Sequence, residues 1–139
     1  MAGDEYPYIV AGAKIFCDKG THFRRLDLPK SHGACIRDLA MTNEDDCKHP
    51  ENIPIFGVCL SSVNPNEEVQ YTGSGSEDLL PFENVSFPII GKRCCPEIDK
   101  WLNAKDDVLV DGKPALTAKC TMVCCHGGII GFVDDGQGV

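Results

Sequence analysis

Leu116-Thr117-Ala118-Lys119-Cys120-Thr121-Met122-Val123-Cys124-Cys125, then His126-Gly127-Gly128, then Ile129-Ile130-Gly131-Phe132-Val133, is the stretch whose reading decides the fold class. Two short runs rich in apolar and β-prone residues flank a pair of glycines, which are free to take positive φ, so the stretch reads as strand, turn, strand. Just before it, Val108-Leu109-Val110 leads into Asp111-Gly112-Lys113-Pro114. Asp-Gly between β-prone runs is a hairpin signal, and the C-terminal third therefore reads as a β-meander. Further strand candidates are Tyr8 to Cys17, Ile53 to Leu60 and Val85 to Ile90, punctuated by 14 glycines and nine prolines across the chain. Many short strands and turns in place of long helices make the class mainly β.

Two stretches are expected to be irregular loop excursions: 18 to 52, polar and weakly periodic, and 61 to 84, with Asn64-Pro65-Asn66 and Gly73-Ser74-Gly75-Ser76-Glu77. Pro96 to Asn103 places Ile98, Trp101 and Leu102 at i, i+3 and i+4, a spacing that predicts one helical turn or more. No fixed-period repeat is visible, which argues against a solenoid.

At 139 residues the chain is expected to form a single domain over 1–139. A compact globule of that size can bury enough surface to need no metal, whereas an elongated or tapered one has less interior per residue and needs staples. With 13 Lys plus Arg against 21 Asp plus Glu, the formal charge is −8. Nucleic acid is an unfavourable partner for such a chain, because phosphate binding needs a basic face. No stretch reaches the roughly 18 apolar residues of a spanning helix, so stable membrane insertion by a helix is not expected.

Nine cysteines are the strongest chemical signal. The N-terminus, Met1-Ala2-Gly3-Asp4-Glu5-Tyr6-Pro7-Tyr8, has two acids and no basic n-region, and the following apolar run breaks at Gly12 and Lys14. The expectation is a protein made in a reducing cytosol, where a cysteine-rich pattern points to metal binding or catalysis ahead of a disulfide framework. Zinc suits thiolates, which the metal keeps deprotonated. The spacing contains no Cys-x-x-Cys knuckle, only Cys120-x3-Cys124 and the vicinal pairs Cys94-Cys95 and Cys124-Cys125, so a site must gather cysteines that are distant in sequence. Strand periodicity turns the members of each vicinal pair to opposite faces, so each pair offers one thiol to a given site. The competing readings are that buried cysteines simply pack as small hydrophobes, and that one cysteine is a nucleophile with His126, His32 or His49 as its base. The acidic run Asn43-Glu44-Asp45-Asp46 lacks the spacing of a calcium loop.

Several short motifs, in order, resemble the PAAR-like family of spike-tip proteins from contractile injection systems, including type VI secretion and phage-tail-like particles. They are Val10-Ala11-Gly12-Ala13-Lys14-Ile15-Phe16-Cys17, Asn52-Ile53-Pro54-Ile55-Phe56-Gly57-Val58-Cys59 with Asn64-Pro65 after it, Gly91-Lys92-Arg93-Cys94-Cys95-Pro96 with Trp101 after it, Pro114-Ala115-Leu116, and Cys124-Cys125-His126-Gly127-Gly128-Ile129-Ile130 closing on Asp135-Gly136-Gln137. The resemblance covers nearly the whole chain. It implies a small, pointed, mainly β domain of short antiparallel strands and hairpins, one copy of which caps the blunt end of a trimeric β-helical spike of the VgrG type. It further implies a non-enzymatic tip that can carry effectors, is assembled in the bacterial cytoplasm, and is then secreted or injected with the particle.

The same resemblance implies a structural zinc near the apex, and carried over position by position its ligands are Cys17, Cys59, Cys94 and Cys124. Cys35, Cys47, Cys95, Cys120 and Cys125 have no motif counterpart. True Pro-Ala-Ala-Arg repeats are absent, and His126 stands where an aromatic is expected. A cysteine-dependent enzyme or thiol redox protein is the alternative from a different class.

Overall fold

A computed structural model describes residues 6–49, 51–71, 89–94, 96–98 and 100–137. Among these the chain is built of short strands with no helix, in small antiparallel sheets, so the mainly β class holds. The largest sheet has four strands in the order β10-β11-β1-β2, where β1 is Lys14–Cys17, β2 Arg24–Arg25, β10 Met122–Val123 and β11 Ile129–Phe132. A second sheet orders β5 (Val58–Cys59), β7 (Ile89–Arg93) and β6 (Glu68–Tyr71) with β7 in the centre. Two hairpins stand apart, β3 (Cys35–Ile36) with β4 (Leu39–Ala40), and β8 (Lys105–Val110) with β9 (Lys113–Ala115).

The hairpin that the Asp-Gly signal predicts is present. Val110 pairs with Lys113, and Asp111 and Gly112 both have positive φ, 52° and 82°, the two-residue turn whose twist matches that of the flanking strands. The C-terminal hairpin is present too, with Val123 opposite Ile129. These two hairpins belong to different sheets, so the C-terminal third is not one meander. The N-terminal strand β1 inserts beside β11 and takes the place that a continuing meander would fill, with Cys17 opposite Ile130.

The helical turn expected over Pro96 to Asn103 is replaced by extended chain among its described residues: Ile98 bridges Cys124 and Leu102 bridges Thr121. The apolar spacing is satisfied by another arrangement. Trp101 is buried, stacks on Phe132 with ring centroids 4.8 Å apart, and donates from Nε1 to the carbonyl of Asp46 at 2.8 Å. An indole fixed at both its face and its polar edge fixes the backbone that carries it.

Residues 18–52, read as an excursion, are tied into the interior. They contribute β2, β3 and β4, the core residue Leu26, and buried Thr21, His22, Thr42, Asn43 and Asp46. Their polarity is internal: Thr42 Oγ1 donates to the carbonyl of Ile9, and Asn43 Nδ2 donates to that of Val110. Within 61–84, β6 is a regular strand; residues 72–84 and the start of the Val85 to Ile90 candidate lie outside the described residues. The core joins Ile9, Ile15, Leu26, Ile53, Phe56, Trp101, Leu116, Met122 and Ile130, with Cys17 and Cys120 among them.

A candidate metal centre between two sheets

Each motif cysteine sits at or just beyond the end of a strand. Cys17 closes β1, Cys59 closes β5, Cys94 follows β7, and Cys124 follows β10. The four-stranded sheet thus carries Cys17 and Cys124, and the three-stranded sheet carries Cys59 and Cys94.

The two sheets are sewn together at these ends. Leu60 N donates to the carbonyl of Lys19 at 2.7 Å, Thr21 N to that of Phe56 at 2.9 Å, and Val58 N to Thr21 Oγ1 at 3.0 Å, while Ser61 Oγ donates to the carbonyl of His126. Gly57 makes this approach possible. It has φ 77°, and a Cβ there would fall on the side chains of Thr21 and His22. The Phe-Gly-x-Cys segment is thereby given a physical reason for its glycine.

At the seam lies a cavity of about 20 Å3 whose lining includes Cys17, Cys59, Cys94, Cys124 and His126. All four cysteines named from the ordered motifs are brought together there. Burial pushes the Cys94 thiol up to about 11; a hydrogen bond from Phe56 N works against the rise, and the neighbouring Cys17, Cys59 and Cys124 add to it. Cys17 is likewise pushed up to about 11, chiefly by burial. Gly128 is the cradle for Cys17, since a Cβ on it would lie 2.5 Å from Cys17 Sγ.

Among the described residues no three His, Cys, Asp or Glu side chains are drawn close enough to hold an ion as they stand. The donor set fits one in other respects. Four thiols from four segments face one small space, and the buried Nε2 of His126 has no hydrogen-bond partner. Its nearest carboxylate oxygen, Glu97 Oε2, is 3.9 Å away, beyond hydrogen-bond reach. Buried polar atoms are rarely left unsatisfied, and one bordering a thiol cluster is placed to bind an ion or to donate to thiolates that an ion would create. A bound zinc would supply charge neutralisation for those thiolates and cross-links between four chain segments.

The remaining cysteines part company with these four. Cys120 is buried and accepts from Thr117 N at 3.4 Å, so it packs as a core residue. Cys35 is exposed on β3, and Cys95 lies outside the described residues. Cys47 and Cys125 both line a separate open groove. None of the eight described cysteines is in a disulfide. Of the histidines weighed as catalytic bases, His32 lies against Asp46, with Nε2 2.9 Å and 3.0 Å from its carboxylate oxygens, and His49 Nδ1 is 2.6 Å from the carbonyl of Ile53. His126, weighed from the sequence as a base for a nucleophilic cysteine, is buried and lines the same cavity as the four thiols.

Fold and cavity define a small all-strand domain whose two sheets meet at a cavity lined by three buried cysteines, Cys17, Cys59 and Cys124, and the half-buried Cys94. The family model described as "Domain of unknown function (DUF4280)" matches residues 9–137, and the chain belongs to that family. No match to the chain was found among curated proteins or among solved structures.

Proposed function

We propose that this chain is a non-enzymatic, PAAR-like spike tip, stapled by one structural zinc held by Cys17, Cys59, Cys94 and Cys124. One copy would cap the blunt end of a trimeric β-helical, VgrG-type spike of a contractile injection or type VI secretion system. The single observation that carries the reading is the convergence of these four cysteines, each from a different ordered motif, on one cavity. The strands that deliver them are two to five residues long. Strands so short hold little cross-strand energy, and a four-way cross-link at their ends turns binding free energy into rigidity.

Rigidity is what a tip that concentrates force on an envelope requires. The mechanism is mechanical, and no bond is made or broken. The tip would assemble in the bacterial cytoplasm and leave with the particle and any effector cargo. The alternative, a thiol enzyme, needs a thiolate at neutral pH; the rise of Cys17 and Cys94 to about 11 weighs against either as a nucleophile.

Two measurements test the proposal together. Metal analysis of the purified chain should give one tightly held zinc, and co-purification with its cognate trimeric spike should give one chain per trimer. A metal-free protein with one fast-reacting thiol, or failure to bind any trimeric β-helical partner, would overturn it.

A further inference from the structure

Just beyond Cys124 the chain enters a turn that leaves Cys125 outward. Cys124 is buried in the cavity, whereas Cys125 is exposed and lines a separate open groove together with Cys47, His49, Glu97 and Ile98. We propose that this groove is a second, solvent-facing site for a thiophilic divalent cation, using Cys47, His49 and Cys125 as donors with Glu97 beside them.

The local structure fixes these groups from two directions. Asn52 N and Ile53 N both donate to the carbonyl of Lys48, and Asn52 Oδ1 accepts from Lys48 N. His49 Nδ1 lies 2.6 Å from the carbonyl of Ile53. A carbonyl oxygen only accepts, so Nδ1 carries the proton and Nε2 presents its lone pair. This is the arrangement by which proteins prepare a histidine to bind metal: one nitrogen anchored to a carbonyl, the other left basic. Cys47 precedes it by two residues, and both are half-buried while the intervening Lys48 is exposed. On the opposite wall, Cys125 N donates to the carbonyl of Glu97 at 2.9 Å, and both residues line the groove. Two sulfurs, one imidazole nitrogen and one carboxylate make a donor set suited to tetrahedral Zn2+ and unsuited to Mg2+ or Ca2+.

Because the groove is open, with a volume of about 610 Å3, binding must draw its two walls together. The second equivalent is accordingly expected to bind more weakly than one held at the buried cavity.

The test is titration of the full chain with Co2+ under reducing conditions, followed by thiolate-to-metal absorbance and by the number of equivalents bound. Wild-type protein should take two, one tight and one weak. His49→Ala and the double variant Cys47→Ser with Cys125→Ser should lose the weak equivalent and keep the tight one, and Cys59→Ser should do the reverse. Cys125 is exposed, so Cys125→Ser alone tests the groove with the core untouched. If the buried cavity binds no metal, wild type takes only the weak equivalent and the groove variants abolish it. Absence of a weak equivalent in wild type, or its survival in both groove variants, refutes the proposal.

Discussion

Replacing Gly128 with alanine adds one methyl group to the protein, and the structure says where it goes. The new Cβ would lie 2.5 Å from Cys17 Sγ, 3.6 Å from Asp18 Oδ1 and 3.7 Å from Lys19 Cβ. Non-bonded heavy atoms are comfortable at roughly 3.5–4.0 Å, so the first contact is short by about 1 Å. The backbone on either side has little room to yield, because Asp18 N donates to the carbonyl of Ile129 at 3.0 Å and Ile129 N donates to Asp18 Oδ1 at 2.8 Å. Relief must come from rotating the Cys17 thiol out of its place. Overpacking of this kind costs about 1–3 kcal/mol, which for a domain of this length lowers Tm by roughly 3–10 °C. The displaced thiol also loses its position in the cavity, so zinc should be weakened in the same variant. Gly131→Ala is the matched control, since its Cβ meets the edge of the Phe16 ring at 3.3 Å and a half-buried ring can swing away. Thermal unfolding with and without chelator, alongside zinc analysis, measures both effects. A Gly128→Ala protein with wild-type Tm and full zinc, or a Gly131→Ala protein equally impaired, would refute the reasoning.

Cys17→Ser, Cys59→Ser, Cys94→Ser and Cys124→Ser should each release the tight zinc, whereas Cys35→Ser should keep it; metal analysis of the purified variants decides. In the metal-free protein the Cys17 and Cys94 thiols are raised from 9.0 to about 11, so the folded state holds protons that the unfolded state gives up. Their contribution to stability is therefore full below pH 9 and is lost between pH 9 and 11, which urea midpoints measured in chelator across that range will show as a fall. Zinc binding has the opposite pH dependence: it must expel those protons, so apparent affinity rises as pH climbs from 6 toward 9, and proton release on binding can be read with an indicator dye. His126→Leu removes the unpartnered Nε2, so it should raise metal-free stability by about 1 kcal/mol while weakening zinc; a loss of stability in chelator contradicts the role given to that nitrogen.

The sequence made the β class and the turns readable because both depend on neighbours along the chain. Asp111-Gly112 takes the positive φ values its residues permit, and Gly127, at φ 95°, turns the chain between Val123 and Ile129. What local pattern did not reveal was which sheet each hairpin joins, since β1 reaches β11 from the other end of the chain. The Ile98, Trp101 and Leu102 spacing misled for a related reason. A 3.6-residue period is also produced when a strand-like segment anchors one large indole inward and its flanking residues bridge a neighbour. Polarity over 18–52 suggested exposure, yet Thr42 and Asn43 spend theirs on the backbone carbonyls of Ile9 and Val110 inside the protein. The four cysteines were found by order along the chain, and their convergence on one cavity depends on Gly57, whose small size lets the two sheets approach, and on Gly128, whose small size leaves room for the Cys17 thiol.

Cysteine density and cysteine placement carry different information, and Cys124-Cys125-His126 separates them. Cys125 and His126 form a turn that Gly127 N closes by donating to the Cys124 carbonyl at 3.0 Å, and there the densest cluster in the chain is divided: Cys124 and His126 line the buried cavity, and Cys125 lines the groove. Adjacent thiols are thereby given unlike surroundings by a single peptide bond. The inner face removes water and leaves thiols protonated until something replaces the proton; the outer face leaves Cys125 exposed to solvent opposite His49, whose tautomer is already set for coordination. If both faces bind metal, the inner ion would hold the two sheets together and the outer one would join residues 47–49 to the hairpin end. Loss of the inner ion should then loosen the whole domain, while loss of the outer one should loosen only the backbone hydrogen bonds that Asn52 and Ile53 make to Lys48. Hydrogen exchange at the amides of Asn52 and Ile53, compared with that of Ile130 in β11, would separate the two.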